Sequence, residues 1–193
     1  MLASITPLGQ RGRNASWTRM VTFYVVASAV GGAALGAALG AVGSVLPGVG
    51  NRTSILVGVL AAAFAVALDM RGRPPSLRRQ VDETWLNGYR DWVCGAGFGL
   101  QLGFGAATIV TSASLYLTWL LELLAASPIA GAFIGLIFGV ARSVPILGNR
   151  HVVDAESLRH SHQRWQGALR LMQPATVVTE AAAGVALLLV VTT

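Results

Sequence analysis

Two charged residues sit inside stretches that are otherwise apolar: Arg142 in a run ending at Leu147, and Glu180 in the last run of the chain. An ionised group in a hydrocarbon setting is costly, so such residues mark functional sites by default. If the two runs are consecutive membrane spans, Arg142 near the end of one and Glu180 near the start of the next lie at similar depth. Pairing would then relieve both charges. Two roles fit such a pair, a structural ion pair and a gate or substrate contact. Ser143 stands beside Arg142 and joins the same candidate pathway.

A second polar group follows a glycine-rich segment. Gln101, Thr108, Thr111 and Ser112 could form a track facing the chain breaks at Pro47 and Pro145. Proline and glycine interruptions free backbone carbonyls, which coordinate ions or polar solutes where they line a cavity. Hydrogen bonds that only hold helices together are the alternative for the same residues. Of the other acids in apolar runs, Glu122 falls near the end of its run, where its carboxylate reaches water, and Asp69 reads as an interfacial cap.

Other chemistry is excluded residue by residue. The glycine run from Gly95 fails the G-x-G-x-x-G pattern, since Leu100 occupies its last position and no strand precedes it. His160 and His162 diverge on a helix, and with His151 they could bind a metal only in an extended loop. Cys94 is the only cysteine, which rules out an internal disulfide or a two-thiol redox centre; it reads as a small apolar residue at a helix start. No hydrolase triad, Walker loop or catalytic carboxylate pair is recognisable. No enzyme activity, metal or cofactor is expected.

The elements that position these residues follow from composition. Of 193 residues, 54% are hydrophobic and 11% charged, against about 25% charged in a soluble domain. The partner this implies is the lipid bilayer. Apolar blocks cover 21–46, 54–69, 93–126, 128–147 and 176–191, most of them near the roughly 20 residues that cross a hydrocarbon core. The block 93–126 would make a helix about 51 Å long, so it reads as one bent or tilted helix with its bend at Thr108–Ser114. The expected fold is an all-α integral membrane protein of about five transmembrane helices, six if that block splits. Residues 1–20 read as a flexible arm before a single polytopic domain over 21–193.

Between the spans, Leu77, Val81, Trp85, Tyr89 and Trp92 make an apolar stripe on an arginine-rich segment, and Leu158, Trp165, Leu169 and Met172 make another. Both read as amphipathic helices lying in the interface. The charge of +6 comes from fourteen arginines, with no lysine, against eight acids. Five spans place all but Arg52 and Arg142 on the amino-terminal, cytoplasmic side, as the positive-inside rule asks. Basic charge placed this way reads as membrane orientation, and no nucleic-acid partner is expected. The lack of lysine beside abundant Ala, Gly, Val and Arg suggests a high-GC bacterium, hence its inner membrane.

Part of the chain occurs twice. Gly32, Gly36 and Gly40, followed by Ser44-Val45, match Gly131, Gly135 and Gly139, followed by Ser143-Val144. Each copy runs through a proline into Gly-Asn-Arg. Glycines four apart share a helix face and let a neighbouring backbone approach, the glycine-zipper mode of association in lipid. In a five-span topology the copies run in opposite senses, an inverted repeat of about 21–92 and 128–193 linked by 93–126, as in many secondary transporters.

At G-F-G-L-Q-L-G-F-G (97–105), T-I-V-T-S-A (108–113) and the two proline-bearing helix ends, the chain resembles small inverted-repeat membrane proteins: the CcdA/DsbD thiol-electron carriers and the LysE and TauE/SafE exporters. The resemblance implies a transporter-like or carrier-derived role. The CcdA/DsbD pattern places one cysteine beside the proline of each repeat. Here Ser44 and Val45 precede Pro47, Ser143 and Val144 precede Pro145, and Cys94 lies elsewhere. Movement of a small polar solute or ion is the function expected. A non-transporting subunit that docks a membrane protein partner, or a second copy of itself, through its glycine faces is the alternative.

Overall fold

Small residues at helical spacing decide which face each helix turns inward. The computed structural model describes residues 5–12, 14–49, 52–71, 88–105, 112–154, 156–160, 163 and 174–185. These form α1 (Pro7–Arg11), α2 (Trp17–Val45), α3 (Arg52–Met70), α4 (Asp91–Phe104), α5 (Ser114–Leu124), α6 (Pro128–Ser143) and a 3-10 helix (Val144–His151). Helical residues 156–160 (α7) and 174–185 (α8) follow, and there is no strand among the described residues.

Along α3 the buried residues are Ser54, Gly58, Ala62, Ala65 and Asp69, while Leu60 and Phe64 are 70% and 65% exposed. The same inversion governs α6, which buries Gly131, Gly135, Gly139 and Ser143 and turns Ile129, Phe133 and Ile137 outward. In water such faces would be the wrong way round. In lipid, which offers no hydrophobic drive between helices, close packing of small residues is what holds helices together. Among the described residues, three helices are long and apolar enough to cross a membrane: Trp17–Val45, Thr53–Met70 and Pro128–His151.

The chain divides into two compact units. The first takes in Met1–Gly32, Arg79–Thr108 and Leu136–Leu169. Here α2 and α4 run parallel in a fixed register. A Cβ on Gly95 would strike the Met20 carbonyl, one on Gly99 the Tyr24 carbonyl, and one on Gly103 the Ser28 carbonyl. Each step is four residues on both helices, so α4 presents a glycine at every turn where α2 presents backbone. At the start of this contact Ser16 N–H donates to Asp91 at 3.2 Å. A cluster of Ile5, Met20, Val21, Tyr24, Cys94, Phe98 and Ile146 closes the unit.

The second unit comprises Ala33–Arg78, Ile109–Gly135 and Arg170–Thr193. In it α2 and α6 run antiparallel, with Gly36 against Gly131 and Gly40 against Ser127, backbone to backbone. Ala62 and Ala65 of α3 pack on Ala113 and Leu117 of α5. On α8 the residues turned inward are Glu180 and Gly184, four apart, and Gly184 faces Ala62.

Three expectations need correction. The stretch 1–20 is not a free arm over its described part. Thr6 caps α1 by accepting from Gly9 N–H at 3.1 Å, Leu8 N–H reaches the Val152 carbonyl at 3.0 Å, and α2 begins at Trp17. The apolar character of Ile5, 1% exposed, explains the docking. Block 93–126 is not one continuous helix. Gly105, at φ 73°, ends α4 in the left-handed conformation that glycine tolerates, and α5 starts anew at Ser114. Pro145 opens a 3-10 segment, whereas Pro47 lies in an exposed turn, so the paired proline ends differ in form. Most of both expected interfacial stripes lies outside the described residues; of the first, Tyr89 and Trp92 are exposed.

Candidate functional site

The residues expected to form one pathway fall into two places. Arg142, Gln101 and Ser143 belong to the first unit. One Arg142 guanidinium nitrogen donates to the Leu102 carbonyl at 2.9 Å, in the last turn of α4. The Leu102 carbonyl also accepts from the Gly105 N–H at 3.1 Å, so the guanidinium is its second donor, and a cation there suits the helix dipole. The same guanidinium lies over the Phe138 ring at 5.3 Å. Arg142 thus ties α6 to the end of α4, a positioning role. Gln101, one residue away in α4, keeps a buried Oε1 with no hydrogen-bond partner. Ser143 is turned back on its own helix, donating to the Val140 carbonyl at 2.7 Å.

Glu180 belongs to the second unit, with Ser112. Arg142 of the first unit bonds the Leu102 carbonyl, and Glu180 of the second lies beside Asp69 and Ser112. Asp69, 4% exposed, ends α3 and holds the start of α5. It accepts from Ser112 Oγ at 2.6 Å and from Ala113 N–H at 2.7 Å. The cap read for Asp69 is therefore made to another helix, inside the protein rather than at its surface. Ser112 and Ser114 hydroxyls stand 2.8 Å apart, and Ser114 N–H donates to Ser112 Oγ at 3.1 Å. Glu180 is 1% exposed, and neither of its carboxylate oxygens has a hydrogen-bond partner. α8 is largely exposed, yet it turns its one charged residue inward. Thr108 and Thr111, the rest of the expected track, lie outside the described residues. Ser112 bonds to Asp69 and Ser114, not to the proline breaks.

Glu122 corrects another expectation. It is 1% exposed rather than solvated, and its Oε2 is buried without a partner. Its Oε1 approaches the face of Gly36, close to the Gly36–Gly131 contact. Position near the end of a run gave no hint of this. The tight turn after α5, with Ala126 at φ 46°, ends the helix before Glu122 can reach an open end.

The sequence reading also missed a serine. Ser28 precedes Gly32 as Ser127 precedes Gly131, so the duplicated pattern extends one turn further back. Gly139 abuts the Ser28 carbonyl in the first unit, and Gly40 abuts the Ser127 carbonyl in the second. Ser28 Oγ also donates to the Gly139 carbonyl at 2.8 Å. Ser44 and Ser143 repeat one bond as well, each donating to the carbonyl three residues back at 2.7 Å. The signal was readable as a serine four residues before the first glycine of each copy.

Among the described residues no group of three or more His, Cys, Asp and Glu side chains is suited to a metal ion. An open cleft of about 620 Å³ in the first unit is lined by Gln10, Arg19, Tyr89, Asp91 and Cys94. No family model matches the chain, and no curated protein or solved structure matches it.

Proposed function

We propose that this chain is a small polytopic protein of a bacterial inner membrane, with its amino terminus cytoplasmic, that moves a small polar solute or ion by rearranging two inverted repeats. Glu180 carries the reading: an acid turned inward from an otherwise exposed helix, buried beside Asp69 and Ser112, with neither oxygen satisfied. Intramembrane acids on the inner face of a bundle mark ion and solute pathways. The antiparallel approach of Gly36 to Gly131, and the matching Gly40–Ser127 and Gly139–Ser28 contacts, support α2 and α6 as paired repeats joined through a glycine zipper. The interruption between Phe104 and Ser114 ends beside Asp69, the kind of broken helix that frees backbone groups for a pathway.

Reconstituted liposomes test this. Flux across a panel of small ions and polar solutes should exceed that of empty liposomes and fall at least tenfold in Glu180→Gln. A wild-type signal equal to that of empty liposomes across the panel removes the reading.

One observation favours a docking subunit instead. Gln10, 2% exposed with its amide nitrogen unsatisfied, opens onto the cleft that Arg19 and Asp91 line, which would suit a polar segment of a partner or a second copy. The glycines Gly36, Gly40, Gly131 and Gly139 are already used within the chain, so a partner would engage the cleft rather than those faces. A stoichiometric partner in mild-detergent purification, lost on Arg19→Glu, is the outcome that reading requires.

A further inference from the structure

We propose that Glu180, with the Asp69 carboxylate beside it, forms a binding site for one small monovalent cation, an alkali metal ion in competition with a proton. The inference rests on the reading of this place as part of a solute pathway, and it names the class of solute.

Counting hydrogens carries it. Ser112 has one hydroxyl hydrogen, and its 2.6 Å contact to an acceptor-only carboxylate oxygen of Asp69 commits it there. Ser112 Oγ in turn accepts from Ser114 N–H at 3.1 Å, and the 2.8 Å contact between the two hydroxyls makes Ser114 the donor of that pair. The Ala113 N–H is spent on the other oxygen of Asp69. No donor of this cluster is left for Glu180, whose two oxygens are buried and unsatisfied. A buried carboxylate without donors is held at a cost of several kcal/mol unless a cation supplies what hydrogen bonds do not. The missing partner is therefore positive and small enough to reach buried oxygens where α8 packs on α3.

Its chemical class follows from the ligands. Glu180 and Asp69 offer carboxylate oxygens and the serines hydroxyl oxygens, with no nitrogen or sulfur among them, which selects hard cations. Calcium takes six to eight oxygens and magnesium keeps several waters in near-ideal octahedral geometry. Two carboxylates and two hydroxyls, with Asp69 already bound to Ser112 and Ala113, supply neither arrangement. Asp69 is already compensated by two donors, so Glu180 is the charge left to balance, and one positive charge, sodium-like or a proton, does so.

The test is thermal unfolding of the full chain in detergent, in sodium chloride against choline chloride at equal ionic strength. Sodium at ten times its dissociation constant should raise the Tm by about 3–6 °C, and the rise should shrink as protons compete at lower pH. Glu180→Gln should keep the Tm in choline and lose the sodium-specific rise, and Glu156→Gln, at an exposed acid outside the site, should keep the rise. No sodium-specific rise at any pH, or a rise that survives in Glu180→Gln, overturns the proposal. Should Glu180→Gln fail to fold, a wild-type response to magnesium or calcium equal to that for sodium overturns it as well. A sodium-specific rise without flux in liposomes leaves the site standing and removes the transport reading; flux of other solutes without the rise does the reverse.

Discussion

The Ser28 hydroxyl donates to the Gly139 carbonyl over 2.8 Å, and the Ser28 carbonyl faces the bare Cα of both Gly139 and Gly103. One residue thereby meets two helices at once, and it is wholly buried. It can do so because neither partner carries a side chain at the point of approach. In lipid, where apolar burial gives no preference for protein over solvent, contacts of this kind are the main source of helix association.

Replacing Gly36 or Gly131 by alanine puts a Cβ into the opposite backbone, and a rigid backbone gives way less readily than a side chain. Each variant should lose about 1–3 kcal/mol of stability, read as a lower unfolding temperature in detergent. Gly88→Ala is the control, since a Cβ there meets nothing within 4 Å. Equal stability of all three variants would remove the close-packing account.

Arg142→Gln should cost about 1.5–3 kcal/mol, the range for a hydrogen bond to a charged donor, because the Leu102 carbonyl loses its charged donor and keeps only the Gly105 N–H. Lysine should recover only part, since an ammonium lacks the planar guanidinium that stacks on Phe138. The positioning role also predicts that ion selectivity in liposomes stays as in wild type while the amount of folded protein falls.

Glu122→Gln should raise the unfolding temperature, the gain being about 1–3 kcal/mol, since a neutral amide of the same shape replaces a carboxylate with an unsatisfied buried oxygen. Glu122→Lys, with a longer charged side chain against Gly36, should not accumulate as folded protein. A loss of stability in the glutamine variant would show that the carboxylate is held by something other than its surroundings in this chain.

Asp154 gives a pH dependence away from the apolar spans. Ser157 N–H donates to its carboxylate at 2.7 Å, which holds the group below the usual aspartate range. Because the folded value lies lower than the unfolded one, this cap contributes fully above the ordinary aspartate value and is lost as pH falls through the folded value. Amide exchange over 156–160 should therefore quicken on acidification. In Asp154→Ala it should be fast throughout.

How much of this could be read beforehand differs by residue type. Apolar length and small-residue spacing foretold α2, α3 and α6 as apolar helices, because period and side-chain volume are local properties of sequence; of the six glycines expected to pack, Gly36, Gly40, Gly131 and Gly139 lie against backbone. The glycines at 95, 99 and 103 carried the same four-residue signal but were read as the setting of Gln101. The acids were misplaced for another reason. Whether Glu122 reaches water, or which group Glu180 meets, depends on where α5 turns and which face of α8 points inward, and neither is written in the residues nearby. Asp69 is expected from the sequence as an interfacial cap, and the groups it does hold lie more than forty positions away, out of reach of local pattern.

The parallel register of α2 and α4 has one more consequence. Helices that start together, pinned at Ser16 and Asp91, bring the residues just ahead of Trp17 and those at 88–90 to one end of the first unit. In the membrane placement proposed above, Arg11, Arg19 and Arg90 share a side, and a single anionic leaflet would feel all three.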